Sequence, residues 1–120
     1  EGDSGPYLLY TYARISSILR NASINSKIKS TLTQDLEHQI IKKLSEFPGQ
    51  IVKAAIEYKP NVIANYIYEL AQLTNEYYHK FPILKEKAAI KNSRLLLINS
   101  IKQVMLNSFN ILNIKPLEKM

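Results

Sequence analysis

An all-α bundle of about five main helices is the fold this sequence predicts, and three observations predict it. Apolar residues recur every three or four positions through most of the chain. Runs that alternate apolar and polar residues, as a half-buried strand would, are almost absent. Pro, Gly and Asn fall between the periodic runs and punctuate them as helix stops and starts.

The first helix is expected from about Pro6 to Asn21. Asp3 or Ser4 can cap it, and Pro6 falls in its first turn, where a missing N–H costs nothing. Leu8, Tyr12, Ile15 and Leu19 form its apolar stripe, and at about 100° per residue Tyr7 and Arg14 fall nearly in line beside that stripe, with Tyr10 next to them. Asn21 to Asn25 breaks the helix, and Ile24 and Ile28 are expected to dock the connection on the core. Thr33 is the expected next cap, with Glu37 four residues on rather than at the capping-box spacing. "DLEHQIIKKLSEF" follows with Leu36, Ile40, Leu44 and Phe47 inward. Pro48-Gly49 is expected to end it and to start "QIVKAAIEYK". After Pro60, "NVIANYIYELAQLTNEYYHKF" turns Ile63, Tyr66, Ile67, Leu70 and Leu73 inward until Pro82. The last helix is expected over roughly Ile90 to Asn113, with Ile98, Ile101, Met105, Phe109 and Leu112 on one face and Leu97 and Val104 widening it.

The 120 residues suffice for a single domain, taken as 1–120, with a real core. The chain starts in a polar stretch without an initiator Met and is expected to be a fragment of a longer protein. The absence of cysteine excludes disulfides and thiolate metal sites. No apolar run approaches a membrane span and no signal peptide is visible, so a cytoplasmic location without a membrane partner is expected. A formal charge of +6 tilts the partner towards a polyanion such as nucleic acid.

The opening "GDSG" matches the surroundings of a trypsin-like nucleophile, but Ser4 has no matching base. Only His38 and His79 are available, both in helical runs, and Pro6 stands where that signature has no proline. Asp35, Glu37 and His38 point in different directions around one helix and are expected to form a solvated face. His79 has no carboxylate at a helpful spacing, and Gly2 and Gly5 lack the Gly-Lys-Ser/Thr of a phosphate loop. Lys42 and Lys43 fall on the exposed side of their helix, as a solvated face or as phosphate contacts. The 8 tyrosines stand out: Tyr7, Tyr10 and Tyr12 share one helix, and Tyr66, Tyr68, Tyr77 and Tyr78 another. A single helical Tyr is usually a core-edge residue with a wet hydroxyl. Tyr7 and Arg14 together place a flat ring and a flat cation on one flank, a pairing that suits unstacked bases of single-stranded RNA.

Three blocks carry a resemblance. "EGDSGPYLLYTYARISSILRNA" is similar to the start of the C-terminal domain of arginyl-tRNA synthetases, with its Gly-Pro-Tyr, Tyr and Ala-Arg-Ile. "IIKKLSEFPGQIVKAAIEYKPNVIANYIYELAQLTNEYYHKFPIL" is similar to the next block in order and spacing, and "SRLLLINSIKQVMLNSFNILNIKPLEKM" resembles the ending. The resemblance covers essentially the whole chain. Departures are Leu9 for Gln, Tyr12 for His, Lys119 for Arg, and the DALR-type motif blurred to "KNSR" at Lys91 to Arg94.

The resemblance implies a DALR-type anticodon-binding domain of a class I aminoacyl-tRNA synthetase. It implies a parent ligase that joins arginine to tRNA using ATP with Mg in an upstream catalytic domain. This fragment alone is expected to catalyse nothing and to hold no cofactor or metal. The partners implied are an arginine tRNA at its anticodon loop and the parent's own catalytic domain, with the chain a monomer. Carried over by motif, the anticodon site would use Tyr7, Arg14, Tyr78 and Met120, with Tyr10, Lys42 and Lys43 as candidate additional contacts. All arginine codons have G in the middle, so the base to be read is the central C of the anticodon. Stacking gives roughly 1–3 kcal/mol per base whatever the base, so discrimination must come from hydrogen bonds to the Watson–Crick edge. Backbone carbonyls or the carboxylate of Met120 are expected to accept from the cytosine amine, with Arg14 on its acceptor side or on a phosphate. The competing expectations are a structural platform bracing the catalytic half, which predicts an exposed apolar patch, and a free-standing helical regulator binding RNA without base preference.

Overall fold

The computed structural model describes residues 4–24 and 31–119. Five helices carry them: α1 (Ser4–Arg20), α2 (Asp35–Ser45), α3 (Phe47–Glu57), α4 (Asn61–Lys80) and α5 (Ala88–Ile111). No strand occurs among the described residues, so the expected all-α bundle is the one found. The capping role of Asp3, the Ser4 side chain and the docking of Ile28 lie outside what is described.

Helix ends follow local chemistry, with three corrections to the expected boundaries. The cap of α2 is Gln34 rather than Thr33, which puts Glu37 at the third helical position after all. Its Oε1 accepts from the N–H groups of Gln34 at 2.9 Å and Thr33 at 3.1 Å, satisfying donors that the helix start leaves over. The break between α2 and α3 lies at Glu46, ahead of Pro48, which serves as a first-turn residue of α3 instead of a stop. α5 ends at Ile111 because Asn113 turns left-handed, with φ 60°. There the Ile114 N–H donates to Phe109 O at 2.8 Å and the Asn113 N–H to Asn110 O at 3.2 Å, a Schellman closure. Tyr58 closes α3 in the same manner, with φ 54° and Lys59 N–H to Ala54 O at 3.1 Å.

α4 and α5 form the middle of the molecule. α4 packs on all four other helices, and α5 on α1, α2 and α4. Ile63, Ile67 and Leu70 from α4 are excluded from solvent together with Ile98, Ile101, Met105 and Phe109 from α5 and Ile40 from α2. Each such side chain contributes about 1.5–3 kcal/mol of transfer free energy. Leu19, Leu44, Leu73, Val104 and Leu112 of the expected stripes are half-buried at its edge. Ile18, Ala71 and Tyr77 take inner places that the stripes did not include. α1 and α4 run parallel: Tyr7 meets Tyr68 with ring centroids 5.5 Å apart, and further along both helices Arg14 meets Tyr78.

A buried ion pair ties α2 to α5 and corrects the expectation of a wholly solvated Asp35–Glu37–His38 face. His38 and Asp35 are exposed, but Glu37 is 1% exposed and Arg94 only 6%. Arg94 Nε donates to Glu37 Oε2 at 3.1 Å, and its Nη1 donates to Pro82 O at 2.7 Å and to Glu86 Oε2 at 3.0 Å. The Tyr77 hydroxyl donates to the same Glu37 oxygen. Burial pushes the Glu37 carboxyl up, but the hydrogen bonds from Tyr77, the Gln34 N–H and Arg94, with Arg94's charge, hold it below the usual carboxylate range. Arg94 belongs to the "KNSR" stretch, so the blurred motif supplies the charge that holds this corner together.

Candidate RNA-binding site

The seam between α1 and α4 gathers flat side chains. Tyr7 and Arg14 stand two turns apart on α1, and Tyr78 reaches Arg14 from the C-terminal end of α4. The guanidinium carbon of Arg14 lies 3.9 Å from the centre of the Tyr78 ring and 5.7 Å from that of Tyr10. An arginine seated on an aromatic face is held flat and gains roughly 0.5–2 kcal/mol. Tyr10 is 52% exposed and Tyr78 38%, so both rings keep open area.

Asn75 binds this seam together. Its Oδ1 accepts from Arg14 Nη1 at 3.0 Å. Its Nδ2 shares two protons among three acceptors, the Tyr7 hydroxyl at 3.0 Å, Thr11 Oγ1 at 2.9 Å and Ala71 O at 3.1 Å. Asn75 precedes Tyr78 by three residues, so both face α1. Sequence reasoning missed Asn75 and Thr11, since only the register between α1 and α4 reveals them.

Beside the seam lies a groove of about 380 Å³ lined by Tyr10, Ala13, Arg14, Ser17, Arg20, Glu118 and Lys119. The tail after α5 forms its far wall. Arg20 Nη1 donates to Glu118 O at 2.9 Å, and Lys102 Nζ bonds the Glu118 carboxylate at 3.0 Å. The Lys102 hydrogen bond and charge keep that carboxyl below its usual range. Three cations and one already-paired carboxylate therefore line the groove, a wall suited to a phosphate chain. Arg20 is a third residue missed from the sequence; its own helix spacing, six residues past Arg14, offered no signal for the tail's return.

The other expected contacts are placed as follows. Met120 lies outside the described residues, although Lys119 beside it lines the groove. Lys42 is exposed on α2. Lys43 is not a free cation: it pairs with Glu69 at 2.5 Å and lies 5.1 Å from the centre of the Tyr66 ring. Both sit on α2, away from the α1–α4 seam. Three tyrosines are not edge residues with wet hydroxyls, since Tyr12, Tyr66 and Tyr77 are buried, whereas Tyr7 is half-buried at the edge of the core. Among the described residues no group of three or more His, Asp or Glu could hold a metal ion.

Known proteins share this fold. The sequence pattern of the DALR anticodon binding domain matches residues 8–120. The arginine–tRNA ligase of Alkaliphilus metalliredigens is 40% identical over 123 residues, covering 100% of this chain and 22% of the relative. That of Thermococcus kodakarensis is 40% identical over 131 residues, covering 100% of the chain and 20% of the relative. The solved arginyl-tRNA synthetase of Thermus thermophilus superposes with a TM-score of 0.91 at 31% identity, over 100% of this chain and 22% of that one. The Plasmodium falciparum arginyl-tRNA synthetase gives a TM-score of 0.84 at 28% identity, over 97% of this chain and 21% of that one. The chain thus spans about a fifth of the length of the relatives it matches. With the family pattern running over nearly the whole chain and the same bundle in solved relatives, this chain belongs to the DALR anticodon binding domain family.

Proposed function

We propose that residues 1–120 form one anticodon-binding domain of an arginine–tRNA ligase, and that the α1–α4 seam holds the central cytosine of an arginine anticodon. The observation that carries this is the convergence of Tyr10, Arg14 and Tyr78, from two helices, on one partly open patch beside a basic groove, with Tyr7 tied to Arg14 through Asn75. Open tyrosine rings stack bases, and Arg14, Arg20 and Lys119 neutralise phosphates. Met120 joins this site on the strength of the family resemblance. Lys42 is kept as an outlying phosphate contact and Lys43, already paired, as a weaker one. Attachment of arginine, with its ATP and magnesium, is assigned to the remainder of the parent, in the cytoplasm and as a monomer. No residue of this chain takes a catalytic role.

The test is a titration with two arginine anticodon stem-loops at fixed salt, identical except for C or U at the central position. The expected result is a preference for C, with affinity reduced about tenfold or more in Tyr7→Ala and in Arg14→Ala, in line with stacking worth roughly 1–3 kcal/mol per base. Equal binding of the two stem-loops by the unaltered chain would remove the reading.

A second role is favoured by a different observation. α3 and the Tyr58 that closes it turn Val52, Ile56 and Tyr58 outward at 56%, 71% and 92% exposure, beside a groove lined by Ile51, Ala54, Ala55, Ile63 and Ile111. Tyr58 holds a left-handed conformation that favours glycine and buries almost none of its ring. This face fits the platform role, bracing the rest of the parent. It lies near Ile63, 15 residues and so roughly 22 Å along α4 from Tyr78, and the two roles do not compete for surface.

A further inference from the structure

The direction of each hydrogen bond around Asn75 is fixed by chemistry. Arg14 Nη1 carries only protons, so the Asn75 atom 3.0 Å from it must be the carbonyl oxygen. Ala71 O carries only lone pairs, so the atom 3.1 Å from it must be the amide nitrogen. Turning the amide over would set NH₂ against guanidinium and oxygen against oxygen. The Thr11 hydroxyl sends its proton to Tyr7 O at 2.8 Å and so accepts from Asn75 at 2.9 Å. The Tyr7 hydroxyl oxygen lies 3.0 Å from the same nitrogen and accepts too, the amide's two protons being shared among three acceptors. Its own proton finds no acceptor among the described residues.

We infer that Asn75 is a positioning residue that makes the seam a wall of donors, presenting the Tyr7 O–H and the unspent N–H groups of Arg14, and that this polarity selects cytosine over uracil. This rests on the anticodon-reading role proposed above. Cytosine offers two adjacent acceptors, its ring nitrogen and its carbonyl, to such a wall. Uracil carries a proton on that ring nitrogen, so donor would meet donor, and a desolvated donor left without a partner weakens binding. The tyrosine is therefore more than a stacking surface. Its hydroxyl takes part in reading the base, and it does so because Asn75 occupies the oxygen's lone pair and leaves the proton outward.

The test uses this chain and the C and U stem-loops. Tyr7→Phe keeps the ring and removes the proton. Asn75→Asp keeps an acceptor for Arg14 but replaces the amide donor with a second acceptor, drawing the Tyr7 proton inward. Each is expected to lower the C-over-U preference about tenfold while binding of the U stem-loop changes little. The double variant Y7F/N75D is expected to lose no more than either single one, since both act through one proton. Losses that multiply in the double variant, or a Tyr7→Phe protein that keeps the full preference, would overturn the inference. Tyr7→Phe serves as the decisive arm if Asn75→Asp shows a lowered thermal midpoint. Failure here with Tyr7→Ala and Arg14→Ala still losing affinity leaves anticodon binding in place. Indifference of those two variants as well removes that role and this inference with it.

Discussion

Arg94 joins three parts of the chain that are distant in sequence: Glu37 on α2, Pro82 and Glu86 in the turn after α4, and its own helix α5. Removing one member of such a pair strands a charge in a place without water. Arg94→Ala is therefore expected to lower the unfolding free energy by about 3–5 kcal/mol. Glu37→Gln should lose less, because an amide oxygen there still accepts from Tyr77. Urea unfolding of the two variants would measure both, and an Arg94→Ala protein within 1 kcal/mol of the parent, as an order-of-magnitude bound, would show the pair to be solvated in practice. The sequence held no sign of this pair. Asp35, Glu37 and His38 look alike by spacing, and what separates the buried carboxylate from its neighbours is a cation 57 positions on.

At the scale of elements, periodicity located all five helices, because each buries one stripe against α4 or α5. Its errors fall where two local rules compete. Pro48 can stop a helix or sit in its first turn, and the burial of Phe47 decides for the second. α3 differs from the rest in having an apolar face that this chain leaves open. Ile56→Asp and Val52→Asp are expected to change the stability of the isolated chain by less than about 0.5 kcal/mol and to leave stem-loop binding intact. In the full-length parent the same substitutions should lower the thermal midpoint, since a charge would then enter an interface. An unchanged midpoint in the parent would assign this face to solvent.

For the whole molecule, the candidate site was legible in part. Tyr7 and Arg14 share a helix, and 100° per residue suffices to align them. Tyr78 came from the family resemblance, and Asn75 required the packing of α1 on α4. Side chains that lock the bundle also set its response to pH. Burial pushes the hydroxyls of Tyr66 and Tyr77 far above the ordinary phenol range, helped by the nearby charge of Glu46 for Tyr66 and by the hydrogen bond to Glu37 for Tyr77. A group whose pKa is raised by folding contributes stability that is complete below its unfolded value and is lost as pH climbs from there. Stability should therefore hold through neutrality and fall above about pH 10, by about 1.4 kcal/mol per pH unit for each of the two tyrosines. Glu37, held below the usual range, acts with the opposite sign: its contribution is complete above about pH 4.3 and is lost as acid protonates it. The expected profile is a plateau between these limits, and Tyr77→Phe should flatten the alkaline limb while lowering the plateau, because the hydrogen bond to Glu37 goes with the hydroxyl. Unfolding followed by circular dichroism from pH 3 to pH 12 would read both limbs. An alkaline limb unchanged in Tyr77→Phe would mean that this hydroxyl ionises freely in the folded chain and that the Glu37 corner opens to water.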